Sequence, residues 1–336
     1  MPTYRAYEVV ENGSIQPTER DLIDPPPGEV RVKVEACGVC HSDSFAVHPH
    51  PASEPGVVPG HEVSGRIDAV GEGVTGWDVG ERAGVGFLGG HCGVCEQCRR
   101  GHFAGCTDQP VTGVSKDGGY AEYLYARQSG LVAIPGELAP SDAAPLLCAG
   151  FTSYNGLVKA QPKPAGVVAV QGIGGLGHLA LQYAAAMGSD VAAVGRGTAK
   201  ADVAHELGAT HYIDSTAGDP AAELKKLGGA DVILATASGG AALSGLLPGL
   251  AYGGRLMVVG ASPEPIPVAS SQLIFGGDQL LGNLTGSSIE NEDNLRFALA
   301  HDIAPLIEEV SFDSAPAAFD RMMNGDARFR MVLDVA

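Results

Sequence analysis

The sequence predicts an α/β protein that combines a doubly wound parallel sheet with a second, mainly β domain. Two observations lead to this fold class. The first part of the chain consists of short alternating segments separated by glycine and proline, which is typical of strands and turns. After Gly150, compact apolar runs alternate with segments of helical periodicity, as in parallel sheets covered by helices. We therefore expect one domain of residues 1–149 with 288–336, and another of residues 150–287.

The strands of the first domain are predicted from patterns of period two. In EVRVKVEA, Val30, Val32, Val34 and Ala36 alternate with charged residues, as in a strand that is buried on one face. HEVSGRIDAVGEGV and AEYLYAR indicate further strands. No helical pattern of any length appears before about Asp142.

The sheet of the second domain is predicted from apolar runs. Between the first two runs, apolar residues recur at helical spacing from Leu176 to Met187, and AKADVAHELG predicts a second helix that ends at Gly208. After residue 287 we expect two helices and the strand RMVLDVA, packed on the first domain. The runs that predict strands are 167–170, 191–194, 232–236 and 255–260, with 280–286 as a candidate last strand.

Charge and cysteine usage exclude several classes of function. Lysine and arginine total 21, and aspartate and glutamate total 39, so the net charge is −18. An acidic surface repels phosphate backbones and anionic lipid, which argues against nucleic acid and membranes as partners. No apolar run approaches the roughly 20 residues that span a bilayer, and no secretory signal is evident. Seven cysteines, an odd number, then favour metal binding or reactive thiols over disulfides, and we expect a cytoplasmic protein.

A glycine-rich turn lies between the first predicted strand of the second domain and the following helix. One glycine in such a turn permits the tight bend, one lets the backbone approach a pyrophosphate, and one allows strand and helix to pack closely. The helix N-terminus then offers N–H groups to the anion. The context predicts a dinucleotide site, and the alternative is a turn with a structural role only. The turn reads Gly172-Ile173-Gly174-Gly175-Leu176-Gly177.

The end of the second strand predicts which dinucleotide is preferred. NAD sites usually place an acidic residue there, which accepts hydrogen bonds from the ribose hydroxyls. Here Gly195 holds that position, and Arg196 and Lys200 follow. A 2′-phosphate is not repelled without the carboxylate, and a guanidinium offers it a bidentate partner. We expect NADP(H) as the preferred cofactor and NAD(H) as the second choice; in the alternative, Arg196 and Lys200 are solvated surface charges.

Four cysteines cluster in a lobe at about residues 90–110, with the spacing C-x2-C-x2-C-x7-C. Two-residue gaps let neighbouring thiolates reach one tetrahedral ion, and the longer loop returns the fourth. Four sulfurs leave no open position, so the spacing predicts a structural zinc. An iron–sulfur cluster, unliganded buried cysteines and disulfides are the alternatives. The four are Cys92, Cys95, Cys98 and Cys106.

Three residues that lie far apart in the sequence offer a second ligand set. Cys40 stands in CGVCHSD, His61 in GHE, and Cys148 in PLLCAG. Two cysteines and a histidine, with a fourth place for water or substrate, make a catalytic zinc arrangement. Taken singly, His61 is equally well a structural histidine, and Cys148 a small core residue.

Together these motifs resemble the zinc-dependent medium-chain alcohol dehydrogenases. CGVCHSD, GHE, the cysteine lobe, PLLCAG and GIGGLGH occur in that family's order and spacing, over nearly the whole chain. CAGFTSY and GLGH are most similar to the branch of cinnamyl-type and yeast-type enzymes. The resemblance implies a GroES-like catalytic domain and a Rossmann coenzyme domain. It also implies two zinc ions per subunit and hydride transfer between a primary alcohol or aldehyde and a nicotinamide cofactor.

The resemblance assigns metal-binding roles to single residues. It implies that Cys40, His61 and Cys148 bind the catalytic zinc. Glu62 is similar to the family's glutamate beneath the metal, which can join the coordination. Asp43 matches the carboxylate that orients the histidine ligand, as physical reasoning also expects.

The resemblance assigns the proton and cofactor contacts as well. Ser42 matches the hydroxyl that takes the alcohol proton. Many members carry a histidine five residues after the first zinc ligand, but here Phe45 stands there and cannot carry a proton. His48 is one substitute, and transfer to water through the ribose hydroxyl is another. Cys37 matches no functional position and is expected to pack. The implied cofactor contacts are His41 and Arg330 at the diphosphate, Thr152 at the nicotinamide, and Val259.

Two other functions stay open on the sequence. One is a polyol or secondary-alcohol dehydrogenase of the same superfamily, and the other is a non-catalytic zinc- or nucleotide-binding redox sensor. Ser42 and Asp43 beside a complete ligand set argue against the second. A zinc-ribbon nucleic-acid binder is disfavoured by the net charge. The resemblance implies a small alcohol or aldehyde as substrate and a homodimer or homotetramer. The edge strand at 280–286 is a candidate for pairing between subunits.

Overall fold

The structure, a computed structural model, describes residues 1–11, 13–48, 56–237 and 239–336. A π-helical turn, Leu146–Gly150, joins α3 to α4, and His41–Asp43 form a single 3-10 turn. The strands are β1 (Thr3–Val9), β2 (Ile15–Asp21), β3 (Glu29–Val39), β4 (Glu62–Val70), β5 (Arg82–Val85), β6 (Tyr123–Arg127), β7 (Leu131–Ala133), β8 (Val167–Gln171), β9 (Asp190–Gly195), β10 (His211–Asp214), β11 (Ala230–Ala235), β12 (Leu250–Val258), β13 (Gln279–Gly282), β14 (Ile307–Ser311) and β15 (Arg330–Asp334). The helices are α1 (Ser44–Val47), α2 (Glu96–Arg99), α3 (Pro140–Pro145), α4 (Phe151–Ala160), α5 (Gly177–Ala186), α6 (Ala201–Glu206), α7 (Pro220–Lys226), α8 (Gly240–Leu246), α9 (Ser270–Gly276), α10 (Ser288–Ala300) and α11 (Ala315–Met323).

The chain divides into two compact units. The first contains Met1–Phe151, Thr285–Ala300 and Ala304–Ala336, and the second contains Thr152–Leu284 and His301–Ile303. This division differs from the predicted domain ranges by a few residues at each boundary. It also places the short segment His301–Ile303, which carries the buried Ile303, in the second unit.

The second unit is built on a parallel sheet of six strands in the order β10-β9-β8-β11-β12-β13. The chain leaves the central β8 in one direction through β9 and β10, then resumes at β11 in the other direction. Parallel strands of this kind are buried on both faces, and Val168, Ala169 and Val170 are inaccessible to solvent. The doubly wound sheet predicted from the sequence is confirmed. Its switch of direction between β8 and β11 creates the crevice where such sheets bind ligands.

The predicted strands of the second unit are present, with two differences. β10 was not predicted, because its four residues are too few to show a periodic pattern. The last strand, β13, covers only Gln279–Gly282 of the candidate stretch 280–286. It lies at the edge of the sheet, where its side chains are mostly exposed.

The first unit contains a sheet of seven strands in the order β14-β15-β3-β4-β5-β7, in which β6 also pairs with β3. β1 and β2 form a separate antiparallel pair. The alternating burial predicted for β3 is confirmed, since the side chains of Val30, Val32 and Val34 are at most 1% exposed. Because the C-terminal strand β15 pairs with β3, the end of the chain lies beside the residues that follow β3.

Two short helices precede Asp142, although the sequence showed no helical pattern there. α1 and α2 have four residues each, which is about one turn and too short to display a helical period. No helix among the described residues is both long and apolar enough to cross a bilayer.

Candidate active site

Four buried side chains with metal-binding atoms meet in the first unit: Cys40, His61, Glu62 and Cys148. β3 and β4 pair antiparallel with Gly38 opposite Glu62, so the residue after β3 and the residue before β4 lie side by side. Cys148 comes from the π-helical turn, a geometry that is frequent at functional sites. One donor atom from each residue lies within 4.8 Å of the other three. The four residues can therefore surround a single ion.

Asp43 fixes the imidazole of His61 from behind. Its Oδ1 lies 2.7 Å from His61 Nδ1, and both side chains are inaccessible to solvent. Asp43 Oδ2 accepts hydrogen bonds from the Cys40 N–H and from the Tyr120 hydroxyl, each at 2.9 Å. His61 Nε2 is buried and has no hydrogen-bond partner among the described residues. The carboxylate thus occupies one ring nitrogen and leaves the other as a lone-pair donor for a metal.

Glu62 is held by a buried ion pair with Arg330. Arg330 Nη2 lies 2.5 Å from Glu62 Oε1, and the two side chains are 4% and 0% exposed. Sheet register explains the contact, because Met331 pairs with Val39 and the continued register sets Arg330 opposite Cys40. Burial raises the pKa of Glu62 to about 8, although the Arg330 guanidinium opposes the shift. Glu62 Oε2 is buried and forms no hydrogen bond with any residue that the structure describes, so one carboxylate oxygen is available to an ion.

The chemistry of this donor set fits zinc. A hydrogen bond from Cys148 lowers the pKa of the Cys40 thiol well below its ordinary value, against the opposing effect of burial. Two sulfurs, one imidazole nitrogen and one carboxylate oxygen are the ligand types that Zn²⁺ binds in proteins. Two of these residues, His61 and Glu62, have buried polar atoms that nothing in the described chain satisfies. A buried polar atom without a partner is costly, and a bound cation removes that cost.

The predicted proton-carrying residues lie in and next to the 3-10 turn that follows Cys40. Ser42 is half-buried in that turn, next to the buried Asp43, whereas His41 is exposed. Phe45 is half-buried in α1, and His48 is exposed at the end of α1. The serine is therefore the hydroxyl of this segment that lies nearest in sequence to the four metal-binding residues.

The cysteine lobe presents a second tetrahedral donor set. The sulfurs of Cys92, Cys95, Cys98 and Cys106 lie within 4.8 Å of one another. Cys92 Sγ lies 3.6 Å from Cys106 Sγ and 4.0 Å from Cys98 Sγ. A tetrahedral zinc with Zn–S bonds of about 2.3 Å sets sulfurs about 3.8 Å apart, so these spacings fit.

Backbone N–H groups in the lobe favour thiolates. The N–H groups of Cys95, Cys98 and Asp108 each donate to a cysteine sulfur at 3.4–3.5 Å. N–H donors from Cys98 and Thr107 lower the pKa of Cys95 to about 6. Metal-binding cysteines must be deprotonated, and these donors stabilise that state.

The glycine turn of the second unit has the geometry that a dinucleotide site needs. Gly172 has φ +89°, a backbone conformation that side-chain-bearing residues rarely adopt. A Cβ on Gly177 would overlap the Gly172 carbonyl oxygen, so α5 can start this close to β8 only with glycine. The space in front of Gly174 is open, since apart from the glycine and its two chain neighbours no atom of the described residues lies within 4 Å of the place of its Cβ. A diphosphate can therefore approach the backbone at that point.

Side chains hold the carbonyl groups of this turn. Lys200 Nζ donates to the Ile173 carbonyl at 2.6 Å, and His178 Nδ1 donates to the Gly174 carbonyl at 3.0 Å. Ser153 Oγ donates to the Leu176 carbonyl at 3.2 Å. Because these oxygens already have donors, the turn is left to bind an anion through its N–H groups.

The remaining residues predicted to contact the cofactor are placed as follows. Gly195 ends β9 and Arg196 is exposed just beyond it. Val259 follows β12 and donates its N–H to the Ala235 carbonyl at the end of β11, at 3.0 Å. Gly195 and Val259 thus lie at the carboxyl ends of β9 and β12, on either side of the central strands β8 and β11, at the edge where open α/β sheets bind ligands. Thr152 is buried in α4, and Gly175 lies in the glycine turn.

Sequence reasoning missed three features of the metal cluster. Neither Tyr120, which supports Asp43, nor the pairing of Arg330 with Glu62 left a signal, because the partners are 77 and 268 residues apart. Phe87 was also missed; its ring meets the His61 imidazole edge-on at 5.1 Å between centroids. Strand register brings Arg330 to Glu62, whereas Tyr120 and Phe87 lie in segments outside the strands and reach the cluster through the tertiary fold.

Comparisons with known proteins agree with this architecture. Residues 26–136 match the family model of the alcohol dehydrogenase GroES-like domain, and residues 175–300 match that of the zinc-binding dehydrogenases. The alcohol dehydrogenase patD of Penicillium expansum is 42% identical over 332 residues, which cover 98% of this chain and 97% of the relative.

Two solved structures share the whole fold. The cinnamyl alcohol dehydrogenase SbCAD4 of Sorghum bicolor is 33% identical with a TM-score of 0.91, covering 99% of this chain and 98% of that one. The enzyme described as CAD from Helicobacter pylori, complexed with NADP(H), is 26% identical with a TM-score of 0.88, over 99% and 98% of the two chains. The chain belongs to the zinc-dependent medium-chain alcohol dehydrogenases, enzymes that use a nicotinamide cofactor to interconvert alcohols and aldehydes.

Proposed function

We propose that this alcohol dehydrogenase interconverts uncharged primary alcohols and aldehydes with NADP(H), with one catalytic and one structural zinc per subunit. The observation that carries the proposal is the buried cluster of Cys40, His61, Glu62 and Cys148, in which His61 Nε2 and Glu62 Oε2 have no hydrogen-bond partner within the described part of the chain. The cysteine lobe supplies the second, four-sulfur site. The first unit would then be the catalytic domain, and the second the cofactor domain.

In this proposal the first unit's residues hold the metal and its histidine ligand. Cys40, His61 and Cys148 would bind the ion, and Glu62, which is kept in place by Arg330, would offer a further carboxylate oxygen. Asp43 keeps the imidazole in the tautomer that presents Nε2. When bound, zinc supplies Lewis-acid chemistry: it lowers the pKa of an alcohol and polarises a carbonyl.

Ser42 carries the proton between the alcohol and the exterior. Its half-buried position next to Asp43 fits a group that lies between a closed site and solvent. Beyond Ser42, Phe45 cannot take part, so His48 or water would complete the path. His41, Thr152, Val259 and Arg330 are proposed to contact the cofactor, whose nicotinamide ring supplies the hydride chemistry.

A cleft in the first unit supports an uncharged substrate. It lies beside the metal cluster, because Phe87 contacts His61 and Leu147 precedes Cys148. No charged residue is found among the described residues that line it. The lining combines apolar side chains with neutral hydrogen-bonding groups: Phe87, Leu88, Val132, Leu147, Phe151, Thr285, Ser287, Ser288 and Asn291.

Substitution of single ligands tests the catalytic zinc. We expect Cys40→Ser, His61→Ala and Cys148→Ser to abolish turnover with an alcohol panel and to remove one zinc per subunit. Cys37→Ser is the matched control, because Cys37 is equally buried on β3 but is not one of the four residues of the cluster. Substantial turnover by the His61→Ala enzyme, with its zinc shown to be missing from that site, would overturn the proposal.

The cofactor preference is tested by kinetics with both nucleotides. The absence of a carboxylate at Gly195 and the presence of Arg196 and Lys200 support NADP(H). We expect kcat/KM to be higher with NADP(H) than with NAD(H) in both directions. A clear preference for NAD(H) would contradict this part of the proposal.

We also propose that the enzyme is a homodimer or homotetramer in which β13 pairs with its copy. β13 is an edge strand with unpaired backbone groups, and it is flanked by the exposed Tyr252, Ile274 and Phe275. Light scattering of the unaltered enzyme should give a multiple of 34.3 kDa. Phe275→Asp should lower that mass, whereas Val79→Asp, at an exposed apolar residue of the first unit, should not. A monomeric mass of the unaltered enzyme would contradict the proposal.

A further inference from the structure

Gly195 lies where a carboxylate would select NAD, yet its backbone does not require glycine. Its φ is outside the left-handed region, unlike that of Gly197, which has φ +68°. Glycine is favoured instead because there is little space around its Cα for a side chain. A Cβ at residue 195 would overlap the hydroxyl of Tyr212, and would lie 3.1 Å from Tyr212 Cζ and 3.3 Å from Ile173 Cδ1. A side chain at this position would therefore force the tyrosine hydroxyl to move.

Tyr212 is held in this place by its own hydrogen bond. It lies on β10, which pairs in parallel with β9, and it is opposite Ala193. Its hydroxyl donates to the Gly197 carbonyl at 2.6 Å. The Tyr212 hydroxyl, which occupies the space beside residue 195, thus also holds the turn that follows β9 through this hydrogen bond.

The segment after Tyr212 holds the turn on both sides of Arg196. The Ser215 hydroxyl donates to the Gly195 carbonyl at 2.9 Å, and Asp214 Oδ1 accepts from the Gly197 N–H at 2.8 Å. Asp214 Oδ1 also accepts from Thr216 N–H at 2.8 Å and from the Thr216 hydroxyl at 2.7 Å, so that oxygen is engaged by its own turn. Arg196 is left as the exposed side chain at the centre of a fixed turn.

We propose that Tyr212 determines the nucleotide specificity as a positioning residue. It keeps residue 195 free of a carboxylate, and it fixes the turn that offers Arg196 to the 2′-phosphate of the adenosine ribose. This inference rests on the proposed preference for NADP(H). It adds that the preference depends on β10 as well as on the residues at the end of β9.

A double-substitution cycle on the enzyme tests the exclusion. Gly195→Ala should lower the unfolding temperature when Tyr212 is present, because the new Cβ meets the hydroxyl. In the Tyr212→Phe background the hydroxyl is gone, and the same substitution should cost much less, since only contacts of 3.1 Å and longer remain. An equal cost in both backgrounds would overturn the role assigned to Tyr212.

Nucleotide binding tests the specificity without turnover. Calorimetry measures the affinity for adenosine 2′,5′-bisphosphate and for AMP. Tyr212→Phe should lower the affinity for the bisphosphate by about fivefold, the effect of one neutral hydrogen bond, and leave the affinity for AMP unchanged. Gly195→Asp with Tyr212→Phe should reverse the preference, whereas Gly195→Asp alone should weaken both ligands. Tyr252→Phe is the control, because this exposed tyrosine lies on β12 of the same unit.

Two outcomes distinguish this inference from the proposed function. Equal binding of the two nucleotides by the unaltered enzyme would overturn the preference for NADP(H) itself. If the bisphosphate binds more tightly, but Gly195→Asp alone reverses the preference with Tyr212 intact, then only the role of Tyr212 is overturned.

Discussion

The hydroxyl of Tyr120 donates a 2.9 Å hydrogen bond to Asp43 Oδ2, and Asp43 Oδ1 lies 2.7 Å from His61 Nδ1. All three side chains are essentially inaccessible to solvent. A phenol, a carboxylate and an imidazole therefore form a continuous support that ends at the nitrogen proposed to bind zinc. Groups of this kind behind a ligand set its tautomer and orientation, and their loss weakens metal binding.

Tyr120→Phe should weaken the binding of the catalytic zinc. The substitution keeps the buried ring but leaves Asp43 Oδ2 with only the Cys40 N–H as donor. We expect an affinity loss of about tenfold to hundredfold, the usual effect of removing such a support. Competition with a chromogenic chelator measures the zinc affinity. The substitution should speed the release of the catalytic zinc and leave the release of the zinc in the cysteine lobe unchanged.

The control for this experiment is Tyr125→Phe. The Tyr125 hydroxyl forms hydrogen bonds with the backbone of Ile23, which is not one of the proposed zinc ligands, so its loss should leave the binding of both zinc ions unchanged. If Tyr120→Phe releases zinc no faster than Tyr125→Phe, the hydroxyl has no part in holding the metal.

Arg330→Met should destabilise the protein strongly. Glu62 would keep its burial and lose the guanidinium 2.5 Å away, and breaking a buried pair from one side costs about 3–5 kcal/mol of unfolding free energy. Combining Arg330→Met with Glu62→Gln should recover part of that loss, because the remaining group is neutral. Urea unfolding of the zinc-loaded protein measures both values.

Arg296→Met serves for comparison with Arg330→Met. Arg296 pairs with Glu292 and Asp293 but is 57% exposed, and exposed pairs contribute at most about 1 kcal/mol. A loss with Arg330→Met no larger than with Arg296→Met would show that the buried pair does not stabilise the fold.

The sequence was sufficient for those parts of the site in which spacing along the chain encodes the chemistry. Cys92, Cys95, Cys98 and Cys106 are close in sequence and close in space, and the glycine turn of residues 172–177 is a single local motif. Cys40, His61 and Cys148 are different. Their grouping followed from a family resemblance, and only strand register and a π-helical turn give it a physical cause.

What the sequence could not predict are the partners that the fold alone brings together. Tyr120 follows two glycines and shows no periodic pattern, yet it supports Asp43. Tyr212 lies on β10, a strand too short for its pattern to be recognised, yet it occupies the space beside Gly195. In both cases a single hydroxyl contacts a residue that is distant in the sequence, and composition and spacing do not indicate such a contact.

Cys95→Ser should remove the structural zinc and open the lobe without affecting the other zinc. The four sulfurs are the ligands proposed there, and a three-sulfur site binds zinc less tightly. Arg99 and Arg100 are exposed at the end of α2, so trypsin should cleave the altered lobe much faster than the intact one. Zinc analysis should fall from two ions to one per subunit.

Val94→Ser is the matched change for the lobe. Val94 lies next to Cys95, is 76% exposed, and offers no ligand. It should keep both zinc ions and resist trypsin as the unaltered chain does. Retention of two ions by Cys95→Ser, with unchanged cleavage, would exclude a zinc held by these sulfurs.

Arg196→Ala and Lys200→Ala should affect the cofactors differently. Arg196 is exposed in the turn after β9, so its proposed contact is with the 2′-phosphate alone. Its loss should lower kcat/KM for NADP(H) by about tenfold to hundredfold, the contribution of a charged hydrogen bond. The stability of the cofactor-free enzyme and the kinetics with NAD(H) should not change.

Lys200 also donates to the Ile173 carbonyl of the glycine turn, so Lys200→Ala should lower kcat/KM for both cofactors. Lys226→Ala, at an exposed lysine of α7, should change neither. An equal loss for both cofactors with Arg196→Ala would mean that the arginine acts on the shared diphosphate or on the fold, and would contradict its assignment to the 2′-phosphate.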